Sequence, residues 1–134
     1  MKKSGFGAGR YNMFGGKCKP GEDLETAAVR ELQEEAGVST TRDMLQRRGE
    51  LAFVFPSTPD WDQIVHVYVV REWTGEPQET GEMKPEWFSV SRIPYDEMWP
   101  ADCHWLPQVL EGKSVTARFE YARDQRTVLR KEVR

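Results

Sequence analysis

Glu31, Glu34 and Glu35 crowd one short segment, preceded by Arg30 and, further back, by the glycine pair Gly15–Gly16. The segment GGKCKPGEDLETAAVRELQEEAGV (15–38) reads as a glycine-rich, lysine-bearing loop, then a helix over 23–36, then Gly37 in the left-handed position that ends helices. Asp23 and Glu25 sit near the helix start, where carboxylates complement the dipole. With Ala28 at zero and 100° per residue, Leu24, Ala28, Leu32, Ala36 and Val29 cover an arc from about −40° to about 100°. Glu35 falls near about −20°, inside that apolar arc, Glu31 borders it at about −60°, and Glu34 lies outside at about −120°.

A carboxylate on an apolar face is costly unless it is paired or bound to a cation, and three together raise one another's pKa. Carboxylate oxygens without histidine or thiolate suit a hard ion, Mg²⁺ or Mn²⁺. The residues alone leave two other readings open: a solvated acidic face, and an internal ion-pair cluster built on Arg30. Gly15 and Gly16 would let the backbone approach a phosphate or offer a carbonyl to a metal, although most glycine pairs are simply turns.

Other elements must hold this segment in place. ELAFVF (50–55) alternates and reads as a strand. IVHVYVV (64–70) is apolar enough for a strand buried on both faces. PEWFSV (85–90) reads as a strand, 91–104 as an irregular connection, and WLPQVLEG (105–112) as a short helix stopped at Gly112. SVTARFEYA (114–122) and TVLRKEV (127–133) pair as a hairpin around Asp124–Gln125. The class is α/β or α+β. A chain of 134 residues fits one domain, 1–134. No apolar run reaches the length of a membrane span and no secretory segment opens the chain. A net charge of −3 gives no basic field for nucleic acid. Cys18 and Cys103 match no zinc or disulfide framework. Reduced thiols and a cytoplasmic location are therefore expected, with neither nucleic acid nor membrane as partner.

Gly16, Glu22, Arg30, Glu31, Leu32, Glu34, Glu35, Gly37 and Val38 fill every specified position of G-x5-E-x7-R-E-U-x-E-E-x-G-U, where U is apolar. A chance match in a chain of this length is on the order of one in ten million. The chain thus resembles the Nudix hydrolases. KKSGFGAGRYNMFGGK (2–17), EMKPEWF (82–88) and IPYDEMWPADCHWLP (93–107) are similar to the MutT-like branch that hydrolyses oxidised purine nucleoside triphosphates. The resemblance implies an α/β/α sandwich with a mixed central sheet and a loop–helix–loop holding Mg²⁺. It implies metal contacts from the Gly16 carbonyl, Glu31, Glu34, Glu35 and Glu82. Either Glu34 or Glu35 would accept the proton of the attacking water, Arg30 would orient the glutamates, and Glu22 would be structural. For the nucleotide it implies contacts from Lys2, Phe6, Asn12, Phe53, Phe55, Trp99 and Asp102. Without the resemblance, Phe53, Phe55 and Trp99 read as packing residues, Asn12 as a turn residue and Lys2 as an exposed lysine.

The expected reaction yields a nucleoside monophosphate and pyrophosphate. The alternatives are a Nudix hydrolase for another nucleoside diphosphate derivative, and a truncated nucleotide-binding module with little activity. Two departures bear on these. Where the resemblance implies two adjacent base-reading aspartates, WPAD (99–102) keeps only Asp102 and has Ala101. A narrower choice of base follows, and Met13 would reshape the pocket further. The chain also begins where the family has already made its first strand or strands. A downstream start, a fragment and a real loss are the competing explanations. A real loss leaves an open sheet edge, so a monomer is expected unless that edge drives dimerisation.

Overall fold

The computed structural model describes residues 1–4, 8–124 and 126–134, so Phe6 and Gln125 lie outside the described residues. Two compact units emerge, one made of Met1–Gln46 with Val69–Glu97, the other of Arg47–Tyr68 with Met98–Arg134.

The first unit is organised by helix α1, Leu24–Ala36. Asp23 caps its start, the carboxylate accepting the Thr26 N–H at 2.8 Å, and forms an ion pair with Arg42. Gly37 ends it at φ 70°, donating to the Gln33 carbonyl at 2.9 Å. A side chain resists that left-handed conformation, which is why glycine is used here. Ala27, Glu35 and Ala36 are the buried positions. Ala27 falls near about −100° on the wheel, so the covered face is displaced from the apolar arc toward the glutamates.

Residues 1–3 run antiparallel beside 82–84. The Met1 ammonium donates to the Lys84 carbonyl at 2.6 Å, Lys84 N–H to Met1, and Lys3 N–H to Glu82. The strand expected over 85–90 does not form: among the described residues the pairing beside it is the single Lys2–Met83 bridge, and a short 3-10 turn follows at Val90–Arg92. Its apolar residues serve ring contacts instead of a ladder. Trp87 stacks on Trp73 with centroids 6.0 Å apart, and Phe88 meets Tyr11 edge-on at 5.0 Å.

The sheet orders its strands β2-β1-β3-β4, where β1 is Leu45–Val54, β2 Gln63–Val70, β3 Val115–Tyr121 and β4 Val128–Val133. The end residues Leu45, Gln46, Val69 and Val70 belong to the first unit. β1 runs parallel to β3, with Phe53 opposite Phe119, and β3 runs antiparallel to β4. The sheet is therefore mixed, and the hairpin pairs as expected. β1 begins five residues earlier than its apolar run, because Gln46, Arg47 and Arg48 are polar residues with strand backbone. β2 is not buried on both faces: it is an outer strand of the described sheet, Ile64 is 62% exposed, and Val65–Val70 are half-buried.

Val115, Ala117, Phe119 and Tyr121 alternate along β3 and are all buried. Trp105 and Val109 of helix α2, Asp102–Leu110, are buried in the same unit. The helix starts three residues before the expected point and carries Pro107 in its body, which forgoes one intrahelical N–H bond. Its stop at Gly112, φ 89°, is as expected.

Asp23→Ala removes the α1 cap while leaving the buried residues of the helix in place. Such losses cost about 1 kcal/mol. Urea unfolding followed by circular dichroism is expected to show that loss with an unchanged m-value.

Candidate active site

The glutamates of α1 are sorted by Arg30. Its Nε and Nη2 donate to the two oxygens of Glu22 at 2.8 and 2.9 Å, a bidentate pair. Nη1 donates to Glu31 at 2.9 Å and to Glu34 at 3.1 Å, and Nη2 also donates to the Lys17 carbonyl at 3.1 Å. These contacts use all five N–H groups of a guanidinium, which no lysine could do. The loop before the helix is thereby tied to it through Lys17 and Glu22. The Arg30 hydrogen bonds, then the Lys19 amide, lower the Glu22 pKa from 4.5 to about 2.

Glu35 stands apart from that cluster. It is 1% exposed, and Oε1 accepts the Gly15 N–H at 2.7 Å. Oε2 is buried without a hydrogen-bond partner among the described residues. Burial raises the Glu35 pKa. The Gly15 amide and Lys2 counter this, while Glu31 and Glu82 add to it. Lys2 and Glu82 are thus close enough for Glu35 to feel their charges. Thr80 Oγ1 donates to the Glu35 carbonyl at 2.9 Å and accepts from Met83 N–H, tying the 80–83 segment to the end of α1. Glu82 itself is exposed.

Gly16 brings the loop backbone close against the Glu31 carboxylate. A Cβ there would lie 2.5 Å from Cδ and Oε1 of Glu31, so any side chain would push that carboxylate away. A buried oxygen lacking a donor, a carboxylate against a bare glycine, and a donor set of oxygens only fit a hard divalent cation. Among the described residues no three acidic, histidine or cysteine side chains are already gathered tightly enough to hold an ion. Glu31 and Glu34 close on Arg30 instead.

Asn12, also in the first unit, donates Nδ2–H to the Arg10 carbonyl at 2.9 Å. Phe6 lies outside the described residues. The second unit holds Phe53, Phe55, Trp99 and Asp102. Phe55 stacks on Tyr121 with centroids 5.0 Å apart and planes 6° apart. Trp99 meets Tyr121 edge-on at 6.1 Å, and Phe53 lies 6.3 Å from it. Asp102 is buried, and its Oδ1 accepts the Trp105 Nε1–H at 3.1 Å. Ala101 is fully buried, and its N–H donates to the Tyr121 hydroxyl at 3.1 Å. Sequence reasoning singled out neither Tyr121 nor Trp105. The signal for Tyr121 was its place in the buried alternation of β3, since a buried phenol needs a partner for its oxygen.

An α/β fold with a mixed sheet, whose glycine loop and acidic helix are laced together by one arginine, has the make-up of a Nudix hydrolase. The NUDIX domain model matches residues 1–109, and the chain belongs to that family. It is 43% identical over 129 residues to the oxidized purine nucleoside triphosphate hydrolase of Mus musculus, covering 96% of this chain and 80% of the mouse protein. The Danio rerio protein of the same name is 42% identical over 90% of this chain and 76% of its own. A MutT protein from Bacillus halodurans superposes with a TM-score of 0.78 at 22% identity, over 90% of this chain and 79% of that one, which speaks to the fold. No helix among the described residues is long and apolar enough to cross a membrane.

The depressed Glu22 pKa gives a signed pH dependence. Its stabilising contribution is complete above about 4.5 and is lost as pH falls toward about 2. The melting-temperature difference between wild type and Glu22→Gln is expected to be full at pH 7 and to shrink through that window. A difference that stays constant on acidification would contradict the Arg30–Glu22 assignment.

Proposed function

We propose that this protein hydrolyses oxidised purine nucleoside triphosphates, such as 8-oxo-dGTP, to the monophosphate and pyrophosphate, using Mg²⁺ or Mn²⁺. The observation that carries the reading is the complete Nudix pattern together with a buried Glu35 whose Oε2 has no donor among the described residues. The substrate class is supported by the activity for which the mouse and zebrafish relatives are named and by the extent of the match to them.

Gly16 O, Glu31, Glu34, Glu35 and Glu82 are the groups that would hold the cation. When bound, it supplies charge neutralisation at the phosphate oxygens and a lowered pKa for the attacking water. The Gly15 N–H fixes one oxygen of Glu35 and so orients the other. Glu35 Oε2 then takes the proton from water as its oxygen attacks phosphorus and the bond to the departing phosphate oxygen breaks. Glu34 is the poorer base: its carboxylate is 51% exposed and engaged by Arg30. Arg30 keeps the glutamates apart and the loop on the helix. Phe53, Phe55 and Trp99 offer aromatic surface suited to a purine, while Asn12 and Asp102 offer donors and acceptors for its edge. Lys2 and Phe6 complete the proposed nucleotide-binding set.

Glu35→Gln is expected to lower kcat about 10³-fold, the scale of a lost general base, with folding intact. Mg²⁺-dependent pyrophosphate release from a panel of canonical and oxidised triphosphates measures it. Full turnover by the variant would remove Glu35 from the mechanism, and nucleotide binding by wild type without turnover would make the protein a binding module.

With Ala101 in place of a second carboxylate, 8-oxo-guanine is expected to be favoured over 2-hydroxy-adenine. Equal kcat/KM on the two triphosphates would refute that preference.

A further inference from the structure

Tyr121 is used by nothing in the mechanism above, yet it touches most of the second unit's nucleotide-binding set. Its ring stacks on Phe55, takes the edge of Trp99 and tilts against Phe53. Its hydroxyl accepts the Ala101 N–H in a fully buried setting. Ala101 is followed at once by Asp102, the carboxylate assigned to the base edge, whose Oδ1 is engaged by Trp105. One side chain therefore spaces the aromatic rings and fixes the backbone from which the carboxylate projects. At 1% exposure the Tyr121 ring is itself no platform for a base.

Resting on the functional reading above, we infer that the Tyr121 hydroxyl is a specificity-determining positioning group, which sets Asp102 for the oxidised base through the Ala101 amide. The bland alternative is a core tyrosine with a satisfied oxygen. The two differ in what removal of the hydroxyl does. A phenylalanine keeps the stack on Phe55 and leaves a buried amide without its acceptor, so the first turn of α2 shifts to find another. If Tyr121 only supports the core, that shift lowers stability and affects every substrate alike. If it sets Asp102, the loss falls on the base that Asp102 discriminates. A site that reads a base through a positioned hydrogen bond loses most of its discrimination when the bond is misaligned.

The test compares wild type and Tyr121→Phe on 8-oxo-dGTP and undamaged dGTP with Mg²⁺, following pyrophosphate. The kcat/KM ratio of oxidised to undamaged nucleotide is expected to fall about tenfold, the scale of one misplaced hydrogen bond to a charged group. The fall should be carried by KM for 8-oxo-dGTP, with KM for dGTP moving less than about twofold. Should the phenylalanine variant melt below the assay temperature, the ratio is taken for both proteins at a lower temperature at which circular dichroism shows the variant folded. A ratio within twofold of wild type, or an equal loss on both nucleotides, overturns the inference and leaves the functional reading standing. Wild-type protein that turns over neither nucleotide overturns the functional reading, and this inference with it.

Discussion

The five hydrogen bonds of Arg30 are the constraint on which the glutamate helix and its preceding loop depend. Helix α1 carries Glu31, Glu34 and Glu35 within little more than one turn, and Glu22 approaches from the loop. Left to themselves such carboxylates repel, and the least costly response is protonation or movement apart. One planar guanidinium, 20% exposed, gathers three of them and the Lys17 carbonyl. Because its donors lie in a fixed fork, it also dictates where each acid points. The ion-pair cluster that competed with a metal site at the level of sequence is therefore present, and the two readings are compatible. Arg30 holds the acids that stay near the surface and leaves Glu35 to the interior.

Glu35 shows why that division matters. It is the one glutamate of the set for which the structure supplies burial without a cationic hydrogen-bond partner. Among the described residues its donor is a backbone amide, from the loop that Arg30 ties down through Lys17. The loop conformation, the helix and the state of the deepest carboxylate are thus linked through a single side chain. Gly16 adds the steric half of the same arrangement, since the loop can lie against Glu31 only where no Cβ intervenes.

Much of this was legible in the sequence, for identifiable reasons. The 3.6-residue period put Glu35 on the apolar side of α1, and Gly37 marked the helix end by the backbone angle it alone adopts cheaply. The covered face nonetheless reached Ala27, outside the apolar arc, and the glycine loop lies against Arg30, Glu31 and Glu35; a helical wheel carries no information about such neighbours. Residues 85–90 have a strand's alternation, yet a strand is defined by its neighbours, and Trp87 and Phe88 found aromatic rings instead. The early start of β1 was hidden by polar residues whose backbone, and not whose side chains, makes the ladder. The burial of Tyr121 could be read from the alternation of β3, but its partners could not: Phe55 follows a strand paired in parallel with β3, and Trp99 and Ala101 come from the segment before α2, a meeting of distant segments that no local pattern encodes.

That contrast separates two kinds of molecular function in one chain. The set proposed for the phosphate chemistry is written almost wholly in one place: its loop, helix, cap and arginine fall between Gly15 and Gly37, where a short motif can specify them, and only Glu82 comes from elsewhere. Base recognition is assigned to residues scattered from Lys2 to Asp102, and three of them, Phe53, Phe55 and Trp99, are spaced by ring contacts with Tyr121 of β3. A motif can therefore stay complete while the base pocket changes by substitution at positions such as Ala101. In this chain the amide of Ala101 is buried and donates to a phenol. Buried contacts of this kind give selectivity a route of change that leaves the sequence of the glutamate motif untouched.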